Sequence, residues 1–100
     1  MLNEDYKDML QALLNHEVKF LLVGAYAMAA HGYPRATGDI DVWVEPSTDN
    51  SVRVYRALAA FGAPMQQLDE VTFAKKGVVF QIGVEPRRID IISGISGVYF

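Results

Sequence analysis

The 100-residue sequence predicts a single α/β (α+β) domain, a small mixed β-sheet flanked by helices. Three observations carry that expectation. Apolar residues recur at helical spacing near the N-terminus and again after Pro46. Four short runs rich in Val, Ile and Leu are each bounded by Gly, Pro or Asp. The two kinds of stretch interleave as α-β-α-β-α-(α)-β-β, without an internal repeat, a low-complexity segment or a linker.

Taken in order, residues 4 to about 16 read as a helix, with Tyr6, Met9, Leu10, Leu13 and Leu14 forming one apolar stripe. Asn3 is the expected N-cap, and Glu4 and Asp5 suit the positive end of the helix dipole. Val18 to Val23 reads as a buried strand. Gly24 permits a tight turn into a helix over Ala25 to Ala30, which ends near His31-Gly32 because Tyr33 precedes Pro34. Arg35 to Gly38 is a connecting loop, and Ile40 to Val44 is the second strand.

Pro46-Ser47-Thr48-Asp49 is a helix start. The helix that follows should turn Val52, Tyr55, Leu58 and Ala59 inward and end near Phe61-Gly62. Leu68 to Lys75 is expected as a further short helix closed by Gly77. Val78 to Val84 and Arg88 to Ile92 read as the last two strands, broken at Pro86. Ile95 to Phe100 is a tail with no end signal.

The composition limits the chemistry. Apolar residues make up 51% of the chain and charged residues 21%, which fits a globular core rather than disorder. A formal net charge of −3 gives no general attraction to nucleic acid. There is no cysteine, so neither a disulfide framework nor a thiolate metal site is available. Two isolated histidines support no zinc cage. Ser93-Gly94-Ile95-Ser96-Gly97 lacks the pattern of a nucleophile elbow. The acidic, amphipathic N-terminus is unlike a secretory signal, and the longest apolar run, Phe20 to Ala30, is too short to cross a bilayer. The expectation is a cytoplasmic protein with no membrane partner.

The residues with chemical promise cluster between Phe20 and Val44. Gly24 and Ala25 stand where a strand runs into a helix, so their backbone N–H groups form a candidate anion site, though taken alone the glycine is better accounted for by a plain strand-to-helix turn. Asp39 and Asp41 alternate with β-branched residues and share one strand face, with Cα atoms about 6.6 Å apart. They either line a solvent-facing edge or hold a cation, and Trp43 on the same face favours a lined pocket. Asp90 repeats the pattern within Ile89-Asp90-Ile91-Ile92. If its strand lies beside Ile40 to Val44, three carboxylates converge, an all-oxygen donor set suited to Mg²⁺ or Mn²⁺. Arg35 and Thr37 either contact phosphate or fix their loop. His31 reads as a helix cap and Lys75-Lys76 as solvated charges, while Arg87-Arg88, just before Asp90, either pairs with acidic residues, guides a polyanion or, the favoured reading, is solvated.

Gly24-Ala25, a thirteen-residue spacer and Asp39-Ile40-Asp41-Val42, followed by Asp90 on a later strand, resemble the signature of the nucleotidyltransferase superfamily. The likeness is to its small prokaryotic branch of minimal nucleotidyltransferases and AbiEii-type toxins, and His31 to Thr37 also looks like that branch. It extends over roughly Leu10 to Val98. The resemblance implies a polymerase-β-like fold and transfer of a nucleoside monophosphate from a triphosphate to a hydroxyl of RNA, protein or a small molecule. It further implies that Asp39 and Asp41 bind the metal carrying the nucleotide and that Asp90 completes a second metal site and helps activate the acceptor. Gly24 and Ala25 would hold phosphates, with Arg35 and Thr37 as candidate further contacts.

Two departures from the pattern give the alternative expectation. Ala25 stands where the superfamily has Gly or Ser, removing a hydroxyl contact to phosphate. The chain also stops soon after its last strand, as a fragment would, or as a domain covered by a second copy or a cognate partner. The alternative is therefore a weak or inactive nucleotidyltransferase-like module acting with a partner, as in a toxin–antitoxin pair.

Overall fold

The computed structural model describes residues 4–24, 40–83 and 88–94. Helix α1, Glu4–Asn15, opens with Glu4 and Asp5 in its first turn and buries Tyr6, Met9, Ala12 and Leu13. The expected stripe is therefore rotated: Leu14 is 61% exposed, and Ala12 takes an inward place. The helix closes in a Schellman motif. Val18 N–H donates to the Leu13 carbonyl at 3.0 Å and Glu17 N–H to that of Leu14 at 3.1 Å, while Glu17 takes the left-handed conformation at φ 58°.

Strand β1, Phe20–Gly24, begins two residues later than Val18. Val18 is held by the helix cap, and Lys19 pairs with the side chain of Asn50 as well as accepting from Glu45 N–H just past β2 at 3.1 Å. Lys19 N–H donates to Asn50 Oδ1 at 2.8 Å, and Asn50 Nδ2 donates to the Lys19 and Glu45 carbonyls, each at 3.0 Å. Asn50 is fully buried and satisfies three backbone groups at once.

Strand β2 spans Ile40–Val44, as expected. Helix α2, Thr48–Phe61, is capped by Ser47, whose Oγ accepts from Asn50 N–H at 3.2 Å. Its C-terminal cap repeats the motif of α1, here with Gly62 at φ 97°. The buried face carries Asn50, Ser51, Val54, Ala57 and Leu58. Of the expected set only Leu58 is among them. Val52 and Tyr55 are half-buried and Ala59 is exposed, because two polar residues take inward positions by making hydrogen bonds. Ser51 Oγ accepts from Phe73 N–H at 2.9 Å, docking the next segment onto α2.

The expected helix over Leu68 to Lys75 is reduced to one 3-10 turn, Thr72–Ala74. Asp69 competes for the same backbone: its Oδ1 accepts from Val71 N–H at 2.9 Å, and Thr72 Oγ1 accepts from Asp69 N–H at 2.8 Å. Phe73, fully buried, meets Phe80 edge-on with ring centroids 6.5 Å apart. Strand β3, Val79–Ile82, is shorter than the run Val78 to Val84. Gly83 at φ 78° turns the chain out of the ladder, and Val84 lies outside the described residues. Strand β4 is Ile89–Ser93.

The sheet is mixed and four-stranded, ordered β1-β2-β4-β3. β1 runs antiparallel to β2, β2 parallel to β4, and β3 antiparallel to β4. Ile40, Val42 and Val44 lie opposite Ile89, Ile91 and Ser93 on one face. That face joins Met9, Leu13, Val54, Leu58 and Phe73 in one core, so the helices cover it. Ser93 is buried there because its Oγ accepts from Val78 N–H at 2.7 Å. The mixed α+β class is as the sequence predicts. The helix expected over Ala25 to Ala30, its end at His31, the loop Arg35 to Gly38, the Asn3 cap, Arg87 and the tail from Ile95 lie outside the described residues.

Candidate functional site

Strand alternation leaves Asp41 and Trp43 on the face of β2 opposite the core, and Asp90 and Ile92 on the same face of β4. Asp41 is the register partner of Asp90, and Trp43 of Ile92. Neighbouring strands are about 4.8 Å apart, so the two carboxylate-bearing Cα atoms sit at roughly that separation. The neighbour relation on which the converging carboxylates depended is thus present for this pair. Extending the registers across the sheet gives a row Asp41, Asp90, Gln81, and beside it a row Leu21, Trp43, Ile92, Val79. Polar and apolar rows adjoin on one surface.

Asp90 is 7% exposed, so it does not stand in open water. A buried carboxylate requires a compensating charge or hydrogen bond. Arg88 supplies both, its Nε donating to Asp90 Oδ1 at 3.1 Å and its Nη2 to Oδ2 at 3.4 Å. The guanidinium fork thereby engages both carboxylate oxygens. The Arg88 side chain is 28% exposed, and its carbonyl accepts from Ile40 N–H at 3.1 Å, which fixes its backbone beside β2. Of the readings open for Arg88, pairing with an acidic residue is the one observed, in place of the favoured solvated charge. The signal was in the sequence, since residues two apart in an extended segment share a face. Gln81, opposite Asp90 on β3, is a further polar neighbour that strand periodicity alone did not single out. Lys75 and Lys76 are exposed, as expected.

Trp43 is half-buried, and its Nε1 is enclosed without a hydrogen-bond partner. It stands two residues from Asp41 on the same face of β2. Gly24, the last residue of β1, pairs with Ile40. The candidate phosphate turn therefore begins at the end of the sheet where β2 and β4 start, one residue before each carboxylate. Ala25, Arg35, Thr37 and Asp39 lie outside the described residues. Among the described residues, no group of three or more His, Cys, Asp or Glu is arranged to hold a metal ion. Two of the three predicted carboxylates are brought together. Their donors, carboxylate oxygens only, fit a hard divalent cation.

On the helical layer, an open groove of about 270 Å³ lies between α1 and the end of α2, lined by Asp8, Gln11, Asn15, His16 and Phe61 among others. It belongs to the layer opposite the carboxylates and shares no residue with them. No helix of the described residues is long and apolar enough to cross a membrane. Comparisons of the chain with known protein families, with curated proteins and with solved structures give no match.

Proposed function

We propose that this chain is a metal-dependent nucleotidyltransferase domain that moves a nucleoside monophosphate from a nucleoside triphosphate to a hydroxyl acceptor. The observation that carries the reading is the register of Asp41 and Asp90 on adjacent parallel strands, on the face away from the core. The sequence resemblance assigns the same two positions to metal ligation, with Asp39 as the third.

In this reading Asp39, Asp41 and Asp90 hold Mg²⁺ or Mn²⁺. When bound, the cation neutralises charge on the triphosphate and favours ionisation of the acceptor hydroxyl. The backbone N–H groups after Gly24, with Arg35 and Thr37, hold the phosphates, adding fixed positive potential where charge develops. Asp90 orients the acceptor hydroxyl. The acceptor hydroxyl passes its proton to the Asp90 carboxylate, its oxygen bonds to the α-phosphorus, and the bridge to the β-phosphate breaks, releasing pyrophosphate. RNA, a protein or a small molecule can each supply the hydroxyl.

The direct test is transfer of label from an α-labelled triphosphate to a mixed acceptor pool with Mg²⁺ or Mn²⁺. Transfer by the wild type and its loss in Asp41→Asn is the expected result. No transfer, combined with no metal-dependent nucleotide binding, would remove the reading.

A second reading is favoured by Ala25 and by the arginine engaging both Asp90 oxygens. Here the domain binds nucleotide without turnover and acts with a second copy or a cognate protein, as in a toxin–antitoxin pair. It is distinguished by metal-dependent nucleotide binding without label transfer, and by activity that appears only when the partner is added.

A further inference from the structure

The Arg88–Asp90 pair bears on how a cation would enter this site. An arginine that merely neutralised Asp90 from one side would leave the other carboxylate oxygen for a metal. Here the fork engages both, at 3.1 and 3.4 Å, on the face where Asp41 stands in register with Asp90. Asp90 is largely buried, so little bulk water offsets a second positive charge beside the guanidinium. A divalent ion bonded directly to Asp90 would approach within a few ångström of a fixed positive charge in a poorly screened setting. The two cations compete for one carboxylate.

We propose that Arg88 is the resident counter-ion of the carboxylate pair and that a divalent cation binds only by displacing its guanidinium from Asp90. This rests on the metal-binding reading of Asp41 and Asp90 given above. The backbone of Arg88 stays fixed through the Ile40 N–H bond to its carbonyl, so the exchange is a side-chain movement. The part-exposed Arg88 side chain has an outlet to solvent for it. The consequence is a site stable without metal and reluctant to bind metal alone. A cation delivered already bound to an anionic nucleotide meets less opposition, because its net charge is no longer positive.

The test titrates Mn²⁺ alone into the full chain and counts free ion by electron paramagnetic resonance. Wild type, Arg88→Gln and Arg88→Ala are compared. The expected result is at least threefold tighter Mn²⁺ binding in both variants, including the case in which only the variants bind measurably. Unchanged or weaker binding in folded variants, with the wild type binding, overturns the competition and leaves the metal reading intact. No binding by any of the three overturns both. A second measurement needs no variant to fold: the Arg88 Nε–H proton resonance of the wild type, followed during Mg²⁺ titration. It should shift and exchange faster with solvent as the fork is released. A resonance unmoved at saturating Mg²⁺ overturns the displacement.

Discussion

Asp41 and Asp90, 49 positions apart in the chain, are register partners in the parallel β2–β4 ladder. Two like charges so placed are costly unless a cation lies near, and Arg88 meets that need on the Asp90 side. The balance should respond to ligand. With Mg²⁺ and a nucleoside triphosphate at ten times the dissociation constant, linkage stabilises the fold by about 1.4 kcal/mol. For a domain of this size that raises Tm by about 6–11 °C. Asp41→Asn should abolish the rise in a thermal melt. An equal rise in the variant would show that the nucleotide binds elsewhere.

Asn50 is the polar keystone of the core. Asn50→Ala leaves Lys19 N–H without its acceptor, while the Lys19 and Glu45 carbonyls keep the N–H groups of Glu45 and Ser47 as donors. An unsatisfied donor shielded from water costs about 1–3 kcal/mol, so the expected loss is about 2 kcal/mol. Urea unfolding measures it. A change below about 0.5 kcal/mol, the range of ordinary surface sites, would mean that water replaces the side chain fully.

Ser51→Ala removes the acceptor for Phe73 N–H and should cost about 1–2 kcal/mol. Hydrogen exchange separates this from a general weakening. The Phe73 amide should lose protection beyond the global change, because Ser51 docks the 3-10 turn onto α2.

Neighbouring leucines in α1 should behave oppositely. Leu13 is fully buried and Leu14 is largely exposed. Leu13→Ala should cost about 2–5 kcal/mol and Leu14→Ala no more than about 0.5 kcal/mol. Comparable losses in the two unfolding curves would contradict the orientation of the helix.

The two helix caps give a stabilising prediction. Glu17 occupies the left-handed position that glycine fills after α2. Glu17→Gly relieves a left-handed conformation costing about 1–2 kcal/mol in an L-residue, less the extra freedom of glycine in the unfolded chain. The net gain expected is about 0.5–1 kcal/mol, read as a higher urea midpoint at unchanged slope. A lower midpoint would place the Glu17 side chain in a stabilising role.

Strands and the long helices were legible because apolar periodicity sets them. Ile40 to Val44 and the helix start at Pro46 to Asp49 emerged directly. Helix faces were less legible, since Asn50 and Ser51 turn inward by hydrogen bonding while Leu14 turns outward, and apolar counting sees neither. The segment from Leu68 failed as a helix because Asp69 and Thr72 bind their own backbone. For the candidate site, alternation placed Asp41 and Asp90 on strand faces, but only the strand order made them neighbours. Pairing of Arg88 with an acidic residue was among the readings the sequence left open, and the same alternation points to Asp90 as its partner.

Trp43 is the single tryptophan of the chain and stands opposite Ile92, one step along the ladder from the carboxylates. The protein thus carries its own optical probe. Closing the β2–β4 ladder requires a loop of more than forty residues, and that long-range step is entropically slow. Tryptophan emission in a stopped-flow refolding experiment should therefore report the moment at which the two carboxylate strands meet, without any added label.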